Sequence, residues 1–291
     1  MATLQSARER YAEQQEITAD AVATARRVRF DSLSRLAALV AGFQAAAAVS
    51  GARYVPRALR EQGLSLDALA EPDARTLAGW TSYGAPLEPL LDKVRGPQTD
   101  AYEFDRLIAS QVQDAGRNGE VLEMAVRPAV TTYVRMLNPP SCSRCILLAG
   151  KKYHKNEGFA RHPLCDCVHV PTDDEIGDDI RFDPVEYFNS LPTAEQLAEE
   201  YPHLTVKMRR EAGIYSQEDI FTKHGAALIR AAPDSKRQYV MGRVVNTRWM
   251  KRSTAGEDAL RRATPGDMVR RAGGNRVLLL RIMRSYGYIR Y

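Results

Sequence analysis

All four cysteines of this 291-residue chain fall between Asn138 and Pro171, as Cys142, Cys145, Cys165 and Cys167. Three of its five histidines, His154, His162 and His169, share the same stretch. A chain that keeps its cysteines in two close pairs uses them for one local purpose, and that purpose constrains the middle of the fold. Cys142-Ser-Arg-Cys145 has the C-x-x-C spacing that lets two thiolates point at one tetrahedral Zn²⁺ from a tight turn. His162-Pro-Leu-Cys165-Asp-Cys167 supplies two more thiolates and an imidazole, and Gly150 and Gly158 allow the loop between the halves to turn back. Three arrangements accommodate these residues. The first is a structural zinc knuckle held by Cys142, Cys145, Cys165 and Cys167, with His162 as a substitute for one cysteine of the second pair. The second is a set of disulfides, and the third is four reduced thiols packed as small apolar groups. Paired cysteines in a chain of intracellular character bind metal more often than they bridge, so a closed, structural zinc is expected. Catalytic zinc is not: no H-x-E precedes Cys142 as in the zinc deaminases, and H-E-x-x-H is absent.

The hydrophobic fraction of 44% and charged fraction of 26% are those of an ordinary globular protein. The most apolar stretch, Leu36 to Val49, is dominated by alanine and reads as too short to span a bilayer, so no membrane partner is expected. The N-terminus carries Arg8, Glu9 and Arg10 and does not read as a signal peptide. The net charge of +5 is unevenly placed. Thirteen acids face four bases from Asp173 to Ile220, whereas after Ser235 fourteen Lys and Arg face three acids. An arginine-rich tail suits phosphate or carboxylate partners, and serves equally as a solvated helix surface.

Residues 3–50 contain no proline and a single glycine, with apolar residues at helical intervals, which predicts one or two long amphipathic helices. Prolines and glycines break residues 51–96 into short helices over 66–70, 74–83 and 87–94, with Trp80 and Tyr83 expected in a core. Residues 100–137 read as helix, with Gly116 and Gly119 as a break or kink. Ile146 to Leu148 and Val168 to Val170 are expected to form a short β-pairing beside the metal. Beyond an acidic surface loop over 172–183, short helices follow, and Thr193 and Ser216 each open a capping-box pattern. Gly273-Gly274-Asn275 reads as a helix break, not a phosphate cradle. The fold class expected is mainly α: an N-terminal helical region over 1–137, a Cys/His module over 138–172, an acidic linker with short helices over 173–235, and a basic C-terminal helical region over 236–291. His203 and His224 are isolated, and no G-x-S-x-G, Walker loop or dinucleotide fingerprint is present, so no catalysis is expected.

The run S-C-S-R-C-I-L-L-A-G-K-K-Y, followed by G-F-A-R-H-P-L-C-D-C-V-H-V-P, resembles the core of the MuF-like minor capsid proteins of tailed bacteriophages, in the version found in phages of actinobacteria. The histidine–proline–x–cysteine–x–cysteine element that closes the module in that family falls on His162, Pro163, Cys165 and Cys167. The resemblance extends in order to residues 220–229, 244–248 and 280–289, and covers the N-terminal half only in helical character. It implies a virion structural protein for phage head morphogenesis, present in few copies at the portal vertex and head interior after assembly in the host cytoplasm. Its partners would be the portal protein or the major capsid protein, with packaged dsDNA facing the arginine-rich C-terminal region. A rival reading of the same residues is a zinc-containing nucleic-acid-binding protein or nuclease using Arg161, His162 and the basic tail.

Overall fold

The computed structural model describes residues 4–138, 141–155, 167–249, 268, 271–285, 287 and 289–290. The protein is mostly helical, and its chain forms two compact units that are each discontinuous in sequence. One is built from Met1–Met136, Lys152–Ile180 and Gly256–Tyr291, the other from Leu137–Lys151 and Arg181–Ala255.

The first unit rests on three long helices, α1 (Gln5–Val28), α2 (Leu33–Glu61) and α4 (Ala101–Val126), with the shorter α3 (Leu87–Arg95) between the last two. Ser32 starts α2 by accepting the Arg35 amide at 3.3 Å, and Asp100 starts α4 by accepting that of Glu103 at 2.7 Å, each satisfying an otherwise orphaned donor. Helix α2 runs straight through Gly51 and Pro56, where proline signals a break. Its packing explains the exception: Tyr54, Val55, Ala58 and Leu59 around the proline are all fully buried, and that burial outweighs one lost backbone bond. At 29 residues α2 is long and apolar enough to cross a bilayer, longer than the run 36–49 suggests. Its fully buried Leu36, Val40, Ala47, Tyr54 and Leu59 face α1 and α4, as those of a core helix do.

Helix α4 is continuous across Gly116 and Gly119, where the sequence suggests a break or kink. The glycines serve contact. A Cβ on Gly119 would lie 2.0 Å from the Ala48 carbonyl oxygen, and one on Gly51 would lie 2.1 Å from that of Gly116. The two helix backbones meet at a distance no side chain fits between. The stretch before α3 holds a 3₁₀ turn at Ala74–Leu77 in place of two helices, and Tyr83 is exposed. Gln44 pins this stretch to α2, donating to the Trp80 carbonyl at 2.8 Å and accepting from the Gly79 amide at 2.9 Å.

After α4 the chain turns at Arg127–Val130 into β2 (Thr132–Met136), a strand where the residue pattern suggests helix. It is the centre of an antiparallel sheet ordered β3-β2-β4, with β3 at Tyr153–His154 and β4 at Val168–Thr172. Val168 to Val170 is therefore a strand as expected, but its partner is β2, with Val134 opposite Val170 and Arg135 opposite His169. Ile146 to Leu148 lies instead in the helix α5 (Ser143–Ala149). The acidic stretch 172–183 contains a helix, α6 (Asp174–Ile180), whose Asp174 and Asp178 face Lys152. The helix Arg276–Ser285 buries Leu279 and Met283 with Leu77, Leu122 and Val126, and Ile289–Arg290 pairs antiparallel with β1 (Glu71–Pro72).

The second unit is an assembly of short helices, among them α7 (Pro184–Ser190), α8 (Ala194–Glu200) and α9 (Val206–Glu211). Both expected capping boxes are present, at Thr193 with Gln196 and at Ser216 with Asp219. The helix opened by Ser216 stops at Phe221 and restarts at Lys223, forming α10 (Gln217–Phe221) and α11 (Lys223–Ala231). Thr222, at φ 68°, makes the joint and caps α11 by accepting the Gly225 amide at 3.2 Å. Phe188 and Phe221 meet edge to face in the core of this unit, with centroids 5.4 Å apart. Helix α12 (Asp234–Trp249) then packs on α11, where Gly225 admits Val244: a Cβ on the glycine would meet Val244 Cγ1 at 2.7 Å.

Candidate functional site

Of the residues proposed to hold zinc, Cys142, Cys145 and Cys167 are described; Cys165 and His162 lie outside the described residues. No disulfide joins any two of the three described cysteines. Cys142 caps α5, its Sγ accepting the Cys145 amide at 3.4 Å, while Cys145 is buried. This contact makes Cys142 the N-cap of α5, where its sulfur takes up one of the amide donors left over at a helix start. Cys167 is also buried, in the first unit, with its carbonyl accepting Arg117 Nε at 3.3 Å. Among the described residues no three His, Cys, Asp or Glu side chains converge on one point as metal ligands.

The most concentrated chemistry in the described chain lies in the first unit. Glu120 of α4 stands between Arg10 of α1 and His169 of β4: Arg10 Nε donates to Oε1 at 3.0 Å, and His169 Nδ1 lies 3.0 Å from Oε2. Their exposures of 1%, 1% and 4% show how completely solvent is excluded. Arg10 continues the chain of contacts, donating through Nη2 to Gln14 Oε1 at 2.7 Å, and Gln14 donates to Thr18 at 3.1 Å. Gly116 makes the room, since a Cβ there would sit 2.1 Å from Gln14 Oε1 and 2.5 Å from Arg10 Nη2. Burial pushes the Glu120 carboxyl up, but Arg10, His169 and Arg117 more than offset it and hold it below the usual carboxylate range. The Tyr54 hydroxyl, buried near the same carboxylate, is driven well above its ordinary value, by burial first and by Glu120 next. Around the imidazole, Tyr133 packs edge-on at 5.0 Å, and the Arg135 guanidinium lies over the Tyr153 ring at 5.5 Å.

Reading the apolar pattern alone misses this cluster. The signal is Ser6, Arg10, Gln14 and Thr18, four polar residues at intervals of four along α1, all buried. His154, His203 and His224 are exposed, as isolated surface histidines are. His224 stands at the mouth of a groove of about 490 Å³ between α11 and α12, lined also by Ser143, Thr222, Leu228 and Arg243. Compared with protein-family models, with curated proteins and with solved structures, the chain matches none.

Proposed function

We propose that this protein is a structural component of a phage head, a MuF-like minor capsid protein that works by holding shape and making protein contacts rather than by catalysis. The observation that carries this reading is the sealing of its acid–base groups. Glu120, His169 and Arg10 would be a plausible catalytic set in a cleft, yet at 1%, 4% and 1% exposure they cannot meet a substrate, and they tie α1, α4 and β4 together instead. The resemblance of the cysteine stretch and of residues 220–229, 244–248 and 280–289 to that family supplies the identity of the assembly, with the portal and major capsid proteins as partners. The test is to express the chain with the portal and major capsid proteins encoded beside it and to sediment the assembled heads. Co-sedimentation at a few copies per head is expected; a chain that stays at the top of the gradient, free of heads, sinks the reading.

Within that reading, zinc held by Cys142, Cys145, Cys165 and Cys167, with His162 as substitute, would staple a loop-rich stretch poor in apolar surface. Elemental analysis of purified protein is expected to find about one zinc per chain, lost in Cys142→Ser and in Cys165→Ser together with protease resistance. Wild-type protein free of metal, with both variants as resistant as it is, removes the zinc and leaves the cysteines as packed thiols.

A further inference from the structure

The short turn between α4 and β2 is bonded by two basic residues that form no ion pair among the described residues. Arg276 reaches it from the start of the C-terminal helix, donating through Nη2 to the Arg127 carbonyl at 2.9 Å. Lys155 reaches it from the end of β3, its amide donating to the Thr131 carbonyl at 3.1 Å. Neither side chain forms an ion pair among the described residues. Arg276 Nε is buried with no hydrogen-bond partner among them. Burial, and then the neighbouring Arg276, bring the Lys155 ammonium down to about 8, and burial lowers Arg276 as well. Two half-buried cations repelling each other across one turn are a cost to the fold that an anion between them would remove.

The sequence around Arg276 says what kind of anion. From Met268 to Tyr291 there are six arginines and no acid. Gly273 and Gly274, at φ 54° and 84°, bring the chain round to Asn275, which caps the helix by accepting the Leu278 amide at 3.0 Å. Arg276 is the first residue of that ten-residue helix, and Arg281 is exposed one turn and a residue further along it. A partly exposed guanidinium, an ammonium beside it and more arginine along the helix match tetrahedral phosphate oxygens repeated along a backbone.

We propose that Lys155 and Arg276 together hold a phosphate of a nucleic-acid backbone, without reading its sequence. The source named for that backbone, packaged dsDNA, rests on the head-interior reading; the phosphate chemistry does not.

The experiment is fluorescence anisotropy of full-length protein with a labelled random-sequence DNA duplex across a salt series, for wild type, Lys155→Gln, Arg276→Gln and the double variant. The slope of log affinity against log salt is expected to fall by about one for each variant and about two for the double. Lys223→Gln, an exposed lysine of the other unit, is expected to leave the slope unchanged. Arg276→Gln removes the donor to the Arg127 carbonyl, so Lys155→Gln, which breaks no hydrogen bond, decides the matter if the former fails to fold. An unchanged slope in Lys155→Gln, an equal fall in Lys223→Gln, or binding of inorganic phosphate without the duplex would overturn the proposal. Head sedimentation reads out independently, so duplex binding with the expected slopes can stand even where association with heads fails.

Discussion

Removing one charge from a buried cluster costs more than removing all of it. Glu120 is the anion shared by Arg10 and His169, and Arg10 is almost wholly enclosed. Glu120→Ala would leave that guanidinium uncompensated, and is expected to destabilise the fold by about 3–5 kcal/mol in urea unfolding. Replacing both partners, Arg10→Met with Glu120→Leu, is expected to cost less than the sum of the single changes, because no charge is stranded. A single variant costing under about 1 kcal/mol would mean the carboxylate is solvated after all. The folded state also depresses the Glu120 pKa, so its contribution is present above the unfolded value and fades as pH falls through the folded one. Glu120→Gln should therefore flatten part of the acid limb of the stability curve. In the sequence Arg10 sits in a run with Arg8 and Glu9 that looks solvated. The period of four through Ser6, Arg10, Gln14 and Thr18 is visible, but nothing in one strand of text says that Glu120 and His169 wait on the other side.

Helix lengths and starts are written locally and were largely legible: α1, α2 and α4 in the alternation of apolar positions, Thr193 and Ser216 in their capping boxes. What defeated local reading was meaning that depends on a neighbour. Gly116 and Gly119 look like a break until α2 is laid across them, and β2 looks like the last turns of α4 until β3 and β4 flank it. The α2–α4 crossing makes the distinction measurable. Gly51→Ala and Gly119→Ala each drive a methyl to within about 2 Å of a carbonyl oxygen and are expected to cost about 1–3 kcal/mol or more. Gly42→Ala, on the exposed side of α2 with nothing within 4 Å, is expected to stabilise by about 0.5–1 kcal/mol through helix propensity. Comparing melting curves of the three separates a glycine needed for contact from one merely tolerated. A loss at Gly42 equal to that at Gly51 would show that close approach is not what sets Gly51 and Gly119 apart.

The first unit is closed by the end of the chain. Its core draws Leu77, Leu122 and Val126 from one end of the sequence and Leu279 and Met283 from the other, and the pairing of Ile289–Arg290 with Glu71–Pro72 spans nearly the whole distance again. Contacts so far apart in sequence carry a large loop-closure cost and reward the chain late, so this edge of the core forms only once the last residues are present. Leu279 and Met283 are 5% and 1% exposed, and burying side chains of their size contributes about 1.5–3 kcal/mol each. A chain stopped after Gly274 would lose both, together with the strand, a sum comparable with the 5–15 kcal/mol or so that holds a typical domain. Leu279→Ala and Met283→Ala are each expected to cost about 2–5 kcal/mol, whereas Val277→Ala on the same helix, where the valine is 71% exposed, should be nearly neutral. Calorimetry of these four variants beside the full-length protein decides it: if the truncated chain melts with the full-length one, the terminal helix is an appendage and the core of this unit is complete without it.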